Sequence, residues 1–102
     1  MTRRFGTTAD GAEFADDVIE AVWKKGRPDA PHPLTAHRRD GSGAAIQRYS
    51  YGTETLEGWE IDHIQPVEKG GTDDLANLQP LQWQNNRHKA DNWPRWEYKK
   101  RP

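Results

Sequence analysis

The chain has 102 residues, of which 32% are hydrophobic, and its formal net charge is −1. With a mean hydropathy of −1.16, it has room for one domain with a thin core, residues 1–102, in which five tryptophans supply much of the buried area. It has no apolar run long enough to span a bilayer, no apolar leader core after Met1 and no cysteine. These absences exclude membrane helices, disulfides and thiolate metal sites, and the expectation is a cytoplasmic protein, with leaderless export as an effector the alternative.

Residues 1–9 carry no periodic pattern and are read as frayed or loosely attached. Asp10 offers an N-cap, with Glu13 three residues on as a capping-box partner. From 12 to 25 the apolar residues Phe14, Val18, Ala21 and Val22 share one helical face, and Glu13, Asp16, Asp17, Glu20 and Lys24 the other. The spacing predicts an amphipathic scaffold helix that Gly26 stops. Residues 26–43, with Pro28, Pro31, Pro33, Gly41 and Gly43, read as a loop with a short extended piece near 34–38. Residues 44–51 alternate as a strand does, and Gly52-Thr53 makes a turn. A second strand begins at Trp59, with Trp59, Ile61 and His63 on one face and Glu60, Asp62 and Ile64 on the other. Pro66 and Gly70-Gly71 open a loop, in which Asp73 or Asp74 is expected to cap or buttress the turn. A short strand follows at 77–81, then a helix from 82 to 91 that ends before Pro94, then a basic tail over 92–102.

Charge is segregated along the chain. Acids crowd 10–20 and 54–74, whereas bases dominate 24–48 and 87–101. Two basic segments that meet on one face would make a phosphate-binding surface; solvated charge is the bland alternative.

The chemistry concentrates between Trp59 and Asp91. Asp62 is a hard-metal ligand type, His63 a base with a pKa near neutrality, and Asn77 and Asn86 are residues that orient and bind. The order Asp62-His63-Ile64-Gln65-Pro66, Gly70-Gly71, Asn77-Leu78, Asn86-Arg87-His88-Lys89 resembles the HNH endonuclease family, whose ββα-metal motif reads D-H-I-x-P, G-G, N-L, N-x-x-K. The resemblance covers 59–91 and implies an α+β fold, a ββα-metal core carried on the N-terminal amphipathic helix and an additional strand.

The resemblance also implies roles. His63 is the general base, and Asn77 accepts a bond from its ring and fixes the tautomer. Asp62 and Asn86 hold one divalent metal. His88 competes with Asn86 for the third letter, but residues two apart on a helix lie about 200° apart, so only one serves. Asn86 stands at the family's usual spacing and is preferred, which leaves His88 to the surface or to DNA. Arg87, Lys89 and Arg95 are the candidate nucleic-acid contacts. His32 and His37 are read as surface residues. An oxygen-rich pair favours Mg²⁺ or Mn²⁺, with Zn²⁺ or Ni²⁺ as alternatives.

Many HNH proteins carry two C-x-x-C pairs around a structural zinc. Alignment on the motif puts Arg39, Ser42, Gln82 and Asn85 at those positions, so the chain resembles the zinc-free branch. Packing of Trp59, Trp83 and Trp93 is the expected substitute. The implied function is metal-dependent hydrolysis of double-stranded DNA, with RNA as the other substrate, by a monomer that nicks one strand at a time. The competing readings are a non-catalytic HNH-fold module that docks nucleic acid or a phage protein, and a toxin-like effector nuclease with an immunity partner.

Overall fold

A computed structural model describes residues 3–95. Helix α1 (Asp16–Trp23) is followed by three short strands, β1 (Arg27–Pro28), β2 (His37–Arg39) and β3 (Ala45–Gln47), paired antiparallel with β2 in the centre. Strands β4 (Trp59–His63) and β5 (Leu78–Gln82) form a separate antiparallel pair in the register Trp59↔Gln82 to His63↔Leu78. Helix α2 (Trp83–Lys89) completes the ββα unit. The architecture is α+β, as expected. None of the described helices is long and apolar enough to cross a membrane.

The core follows from strand and helix periodicity. Trp59 and Ile61, two apart on β4, face Phe14, Ile19, Val22 and Trp23 of the α1 region together with Leu78 of β5. The rings of Trp23 and Trp59 stand 5.4 Å apart in a tilted pair, and Tyr51 meets Trp59 edge-on at 4.8 Å. The alternate residues Glu60 and Asp62 are buried as well, because α2 lies over that second face. A strand with both faces covered turns its polar positions into buried groups, and these form the site.

Several elements differ from the sequence reading. The helix predicted from 12 begins only at Asp16, and its N-cap is Ala15, which makes no side-chain cap. Thr7 and Glu13 form a β-bridge, and Thr8 closes a turn on Gly11 and Ala12, so those residues are extended or turned when the helix would begin. Asp16 and Asp17 remain in the first turn, where the helix dipole favours them. Residues 26–43 supply two strands rather than a loop with one extended piece, and the strand expected over 44–51 yields to a 3₁₀ turn at Arg48–Ser50. Residues 3–9, read as frayed, lie docked on the body of the protein. The α2 helix starts one residue late because Gln82 caps it, its side chain accepting from the Gln84 and Asn85 amides at 2.9 and 3.1 Å.

The Gly70-Gly71 pair is required by the turn that leads out of β4. Gly70 sits in the left-handed region at φ 89°, and a Cβ on Gly71 would collide with the carbonyl of Gln65. Of the basic tail, residues 96–102 lie outside the described residues.

Candidate active site

A cleft of about 250 Å³ opens at the end of β4. Asp62, His63 and Asn86 line it, as do Arg3, Arg4 and Phe5 from the N-terminal segment. The pairing register stays regular to His63, and the strand ends there, so neighbouring residues of opposite pleat reach the same opening.

His63 is held from two sides. Its ring rests 6.0 Å from that of Phe14, and its Nε2 lies 2.8 Å from Oδ1 of Asp73. An ionised carboxylate only accepts, so Nε2 carries the proton and Nδ1 is the basic nitrogen of the neutral ring. Asp73 is itself fixed, since the Ala9 amide donates to both of its oxygens at 3.0 and 3.2 Å. Asp73, expected with Asp74 only to cap or buttress the loop, instead bonds the Ala9 amide and positions the histidine.

Asn77 takes a different part from the one expected. Its Oδ1 accepts from the Gln65 amide at 2.8 Å, and its Nδ2 donates to the carbonyls of Gln65 and Thr72 at 3.1 and 2.9 Å. It therefore staples the 65–72 loop rather than binding the His63 ring. Its backbone carbonyl also accepts from the Ile64 amide at 2.8 Å, just past the histidine. The loop that carries Asp73 is thus shaped by Asn77, whose influence on His63 is indirect.

Asp62 is only 6% exposed. It accepts from Gln79 Nε2 at 2.9 Å and from the Lys89 ammonium at 3.3 Å. Burial pushes its carboxyl above the ordinary value; the Lys89 charge and the Gln79 bond oppose that without cancelling it. Asn86 gives its amide nitrogen to Glu60 at 2.8 Å, which leaves its amide oxygen without a donor among the described residues. A buried carboxylate and an uncommitted amide oxygen on one cleft suit a hard divalent cation, with water completing the shell. No cluster of three or more His, Cys, Asp or Glu fit to hold a metal occurs among the described residues, so any ion held here rests on this pair. His88 is half-buried and lies outside the cleft, on the other side of α2 from Asn86.

The three expected nucleic-acid contacts separate. Arg87 is engaged by Glu54 at 2.8 Å and Glu60 at 3.1 Å, and its guanidinium covers the rings of Phe5 and Trp83. Lys89 is 3% exposed and is committed to Asp62 and, at 3.0 Å, to the carbonyl of His63. Arg95 is exposed. Of the three, Lys89 alone is buried against the cleft residues, and Arg87 is tied down by carboxylates at the surface.

The positions where the resemblance places zinc-binding cysteines form a second polar centre. Asp40 is fully buried and accepts five hydrogen bonds: from the Ser42 amide and hydroxyl, the Ala44 amide, the Gln82 amide and the Asn85 side chain, at 2.6–3.1 Å. Ser42, Gln82 and Asn85 occupy three of the four positions, and their network ties the 40–44 turn to the β5–α2 junction. Arg39, at the fourth, turns to Asp29 at 2.9 Å. Trp59 is a core residue, whereas Trp83 is partly exposed and Trp93 is 38% exposed, so hydrogen bonding around Asp40 replaces the metal more directly than tryptophan packing does. Asp40-Gly41-Ser42-Gly43 has the composition of an Asp-led turn, a signal that pointed to the local half of this network.

Residues 49–92 match the family model of the HNH endonucleases, and the whole ββα unit falls within that match. No curated protein and no solved structure matches the chain.

Proposed function

We propose that the HNH segment makes this protein a metal-dependent endonuclease that hydrolyses phosphodiester bonds of double-stranded DNA. The observation that carries the proposal is the convergence on one cleft of a histidine with its tautomer fixed, a buried carboxylate and an uncommitted amide oxygen. The general base is His63, whose Nδ1 accepts the proton of the attacking water. Asp73 holds the ring through Nε2 and favours the imidazolium that forms. Lys89 keeps Asp62 oriented and offsets part of the cost of its buried charge, and Asn77 shapes the loop that delivers Asp73. Asp62 and Asn86 are the groups that would hold a divalent cation, Mg²⁺ or Mn²⁺ by the hardness of their oxygens. Such an ion supplies charge stabilisation to the phosphate and to the departing 3′ oxygen.

One base and one pair of metal-binding oxygens address one phosphodiester at a time, so a monomer nicks before it linearises. Supercoiled plasmid incubated with the purified protein tests the proposal. Open circles should accumulate ahead of linear DNA when Mg²⁺ or Mn²⁺ is present and should not form without it. Plasmid left intact across both metals would refute the hydrolytic reading, and linear product without an open-circle phase would refute the monomer.

A further inference from the structure

The cleft has a wall that the motif does not supply. Residues 3–6 form a strap that lines it together with Asp62, His63 and Asn86. The strap is built in. Arg3 donates to the Thr7 carbonyl at 2.8 Å, the Thr7 hydroxyl donates to the Arg4 carbonyl at 2.6 Å, and Phe5 lies under the Arg87 guanidinium at 5.4 Å. Tyr51 reaches the Gly6 carbonyl at 3.5 Å; burial, with Glu60 and Glu13 beside it, pushes its phenol up to about 12, so it stays a neutral donor. Beyond the strap, the Ala9 amide binds the same Asp73 carboxylate that holds His63. The segment that follows the strap and the base therefore share one anchoring side chain.

Charge assigns the strap its role. A phosphodiester substrate brings negative charge into a cleft already lined by Asp62, Glu68 and Asp91. The α2 cations that touch its lining residues are committed: Arg87, over Phe5, to Glu54 and Glu60, and Lys89 to Asp62 and the His63 carbonyl. Arg3 is committed in part, through Thr7 and, at 3.9 Å, Glu68. The side chain of Arg4 is exposed on the cleft and has no carboxylate partner among the described residues. We infer that Arg4 is the phosphate-binding residue of the cleft, its guanidinium taking a backbone phosphate of duplex DNA beside the bond to be cut, with Arg3 and Phe5 bracing the strap that presents it. A planar guanidinium matches two phosphate oxygens at once, which a lysine does not. The inference deepens the proposed function, since it names the contact that draws DNA to that site.

Equilibrium binding of a short labelled DNA duplex over a salt series tests it, in a His63→Ala background so that DNA stays whole. Arg4→Ala should bind about tenfold more weakly, the effect of losing one charged hydrogen-bonding group. Its slope of log K against log salt should shrink by about 0.9, the contribution of one phosphate contact. Arg4→Lys should restore the slope and part of the affinity, and Lys24→Ala, at the far end of α1, should match the background. An Arg4→Ala protein with unchanged affinity and slope would overturn the inference, as would a background protein that does not bind duplex DNA. The two readings fail separately. If parent and Arg4→Ala bind and cut alike, the hydrolytic function stands without the Arg4 contact. If the parent binds through Arg4 and does not cut, the contact stands without the hydrolysis.

Discussion

Asp40, bonded at the β5–α2 junction, and Asp62, on β4, are both buried carboxylates, and they are treated in opposite ways. Asp40 has both oxygens saturated by donors drawn from the 42–44 turn, β5 and α2. Asp62 has one amide donor and one ammonium at 3.3 Å, opens on the cleft, and is pushed by burial toward its neutral form. A buried charge whose hydrogen bonds are complete fixes a structure; one left short of donors in a cleft is disposed to take a further ligand. The fold thus separates two duties. The Asp40 centre ties the 40–44 turn to the β5–α2 junction through hydrogen bonds, and in the proposed mechanism the Asp62 face is the one that would take an ion.

The comparison is sharpened most by the histidine beside Asp62. His63→Ala should lower plasmid nicking by about 10²–10⁴, the usual cost of removing a general base, while its melting midpoint stays near that of the parent. Nicking at the parental rate would remove His63 from the mechanism.

Next in size is the carboxylate-to-amide change made at each aspartate in turn. In Asp40→Asn the new NH₂ must face backbone or side-chain donors whichever way the amide turns, and a cost of about 3 kcal/mol is expected. In Asp62→Asn the amide oxygen can still accept from Lys89, and the loss of the ammonium's counter-charge is offset in part by relief of the carboxylate's own desolvation. A smaller loss of about 1–2 kcal/mol in urea unfolding is therefore expected. Equal losses at the two positions would erase the distinction between them.

The metal-binding side of the comparison is smaller in energy and more specific. Asp62→Asn and Asn86→Ala should weaken Mn²⁺ binding in calorimetric titration, and His88→Ala should not. The assignment of the pair is wrong if His88→Ala is the variant that loses affinity.

What could be read from the sequence was what is local in it. The β4 strand, the Gly70-Gly71 turn and the α2 segment follow from periodicity and turn chemistry within a few residues, and Asp62, His63 and Asn86 of the motif line one cleft, whereas Asn77 and Lys89 do not. The contacts that complete the site are long-range. The Ala9–Asp73 bond joins residues 64 apart, and the Asp40–Gln82 bond joins residues 42 apart, separations over which no pattern in a single sequence reports. The same limit explains the strap. Residues 3–9 have no periodicity of their own, and they are ordered by a bridge to Glu13 and by partners across the fold. Asn77 shows a subtler case, since the resemblance implied a partner for the His63 ring. Its side chain is instead consumed by the backbone of the intervening loop, whose free amides and carbonyls lie closer.

The separation of structural from chemical carboxylate is tested most directly by chelation, reading melting and plasmid nicking from one preparation held in excess EDTA. If the Asp40 network stands where a structural zinc would, nicking should disappear while the melting midpoint and the far-UV circular dichroism stay nearly constant. A collapse of the dichroism in EDTA would contradict the account by making the metal part of the fold, and nicking that persists in EDTA would contradict it by making the metal irrelevant to the chemistry.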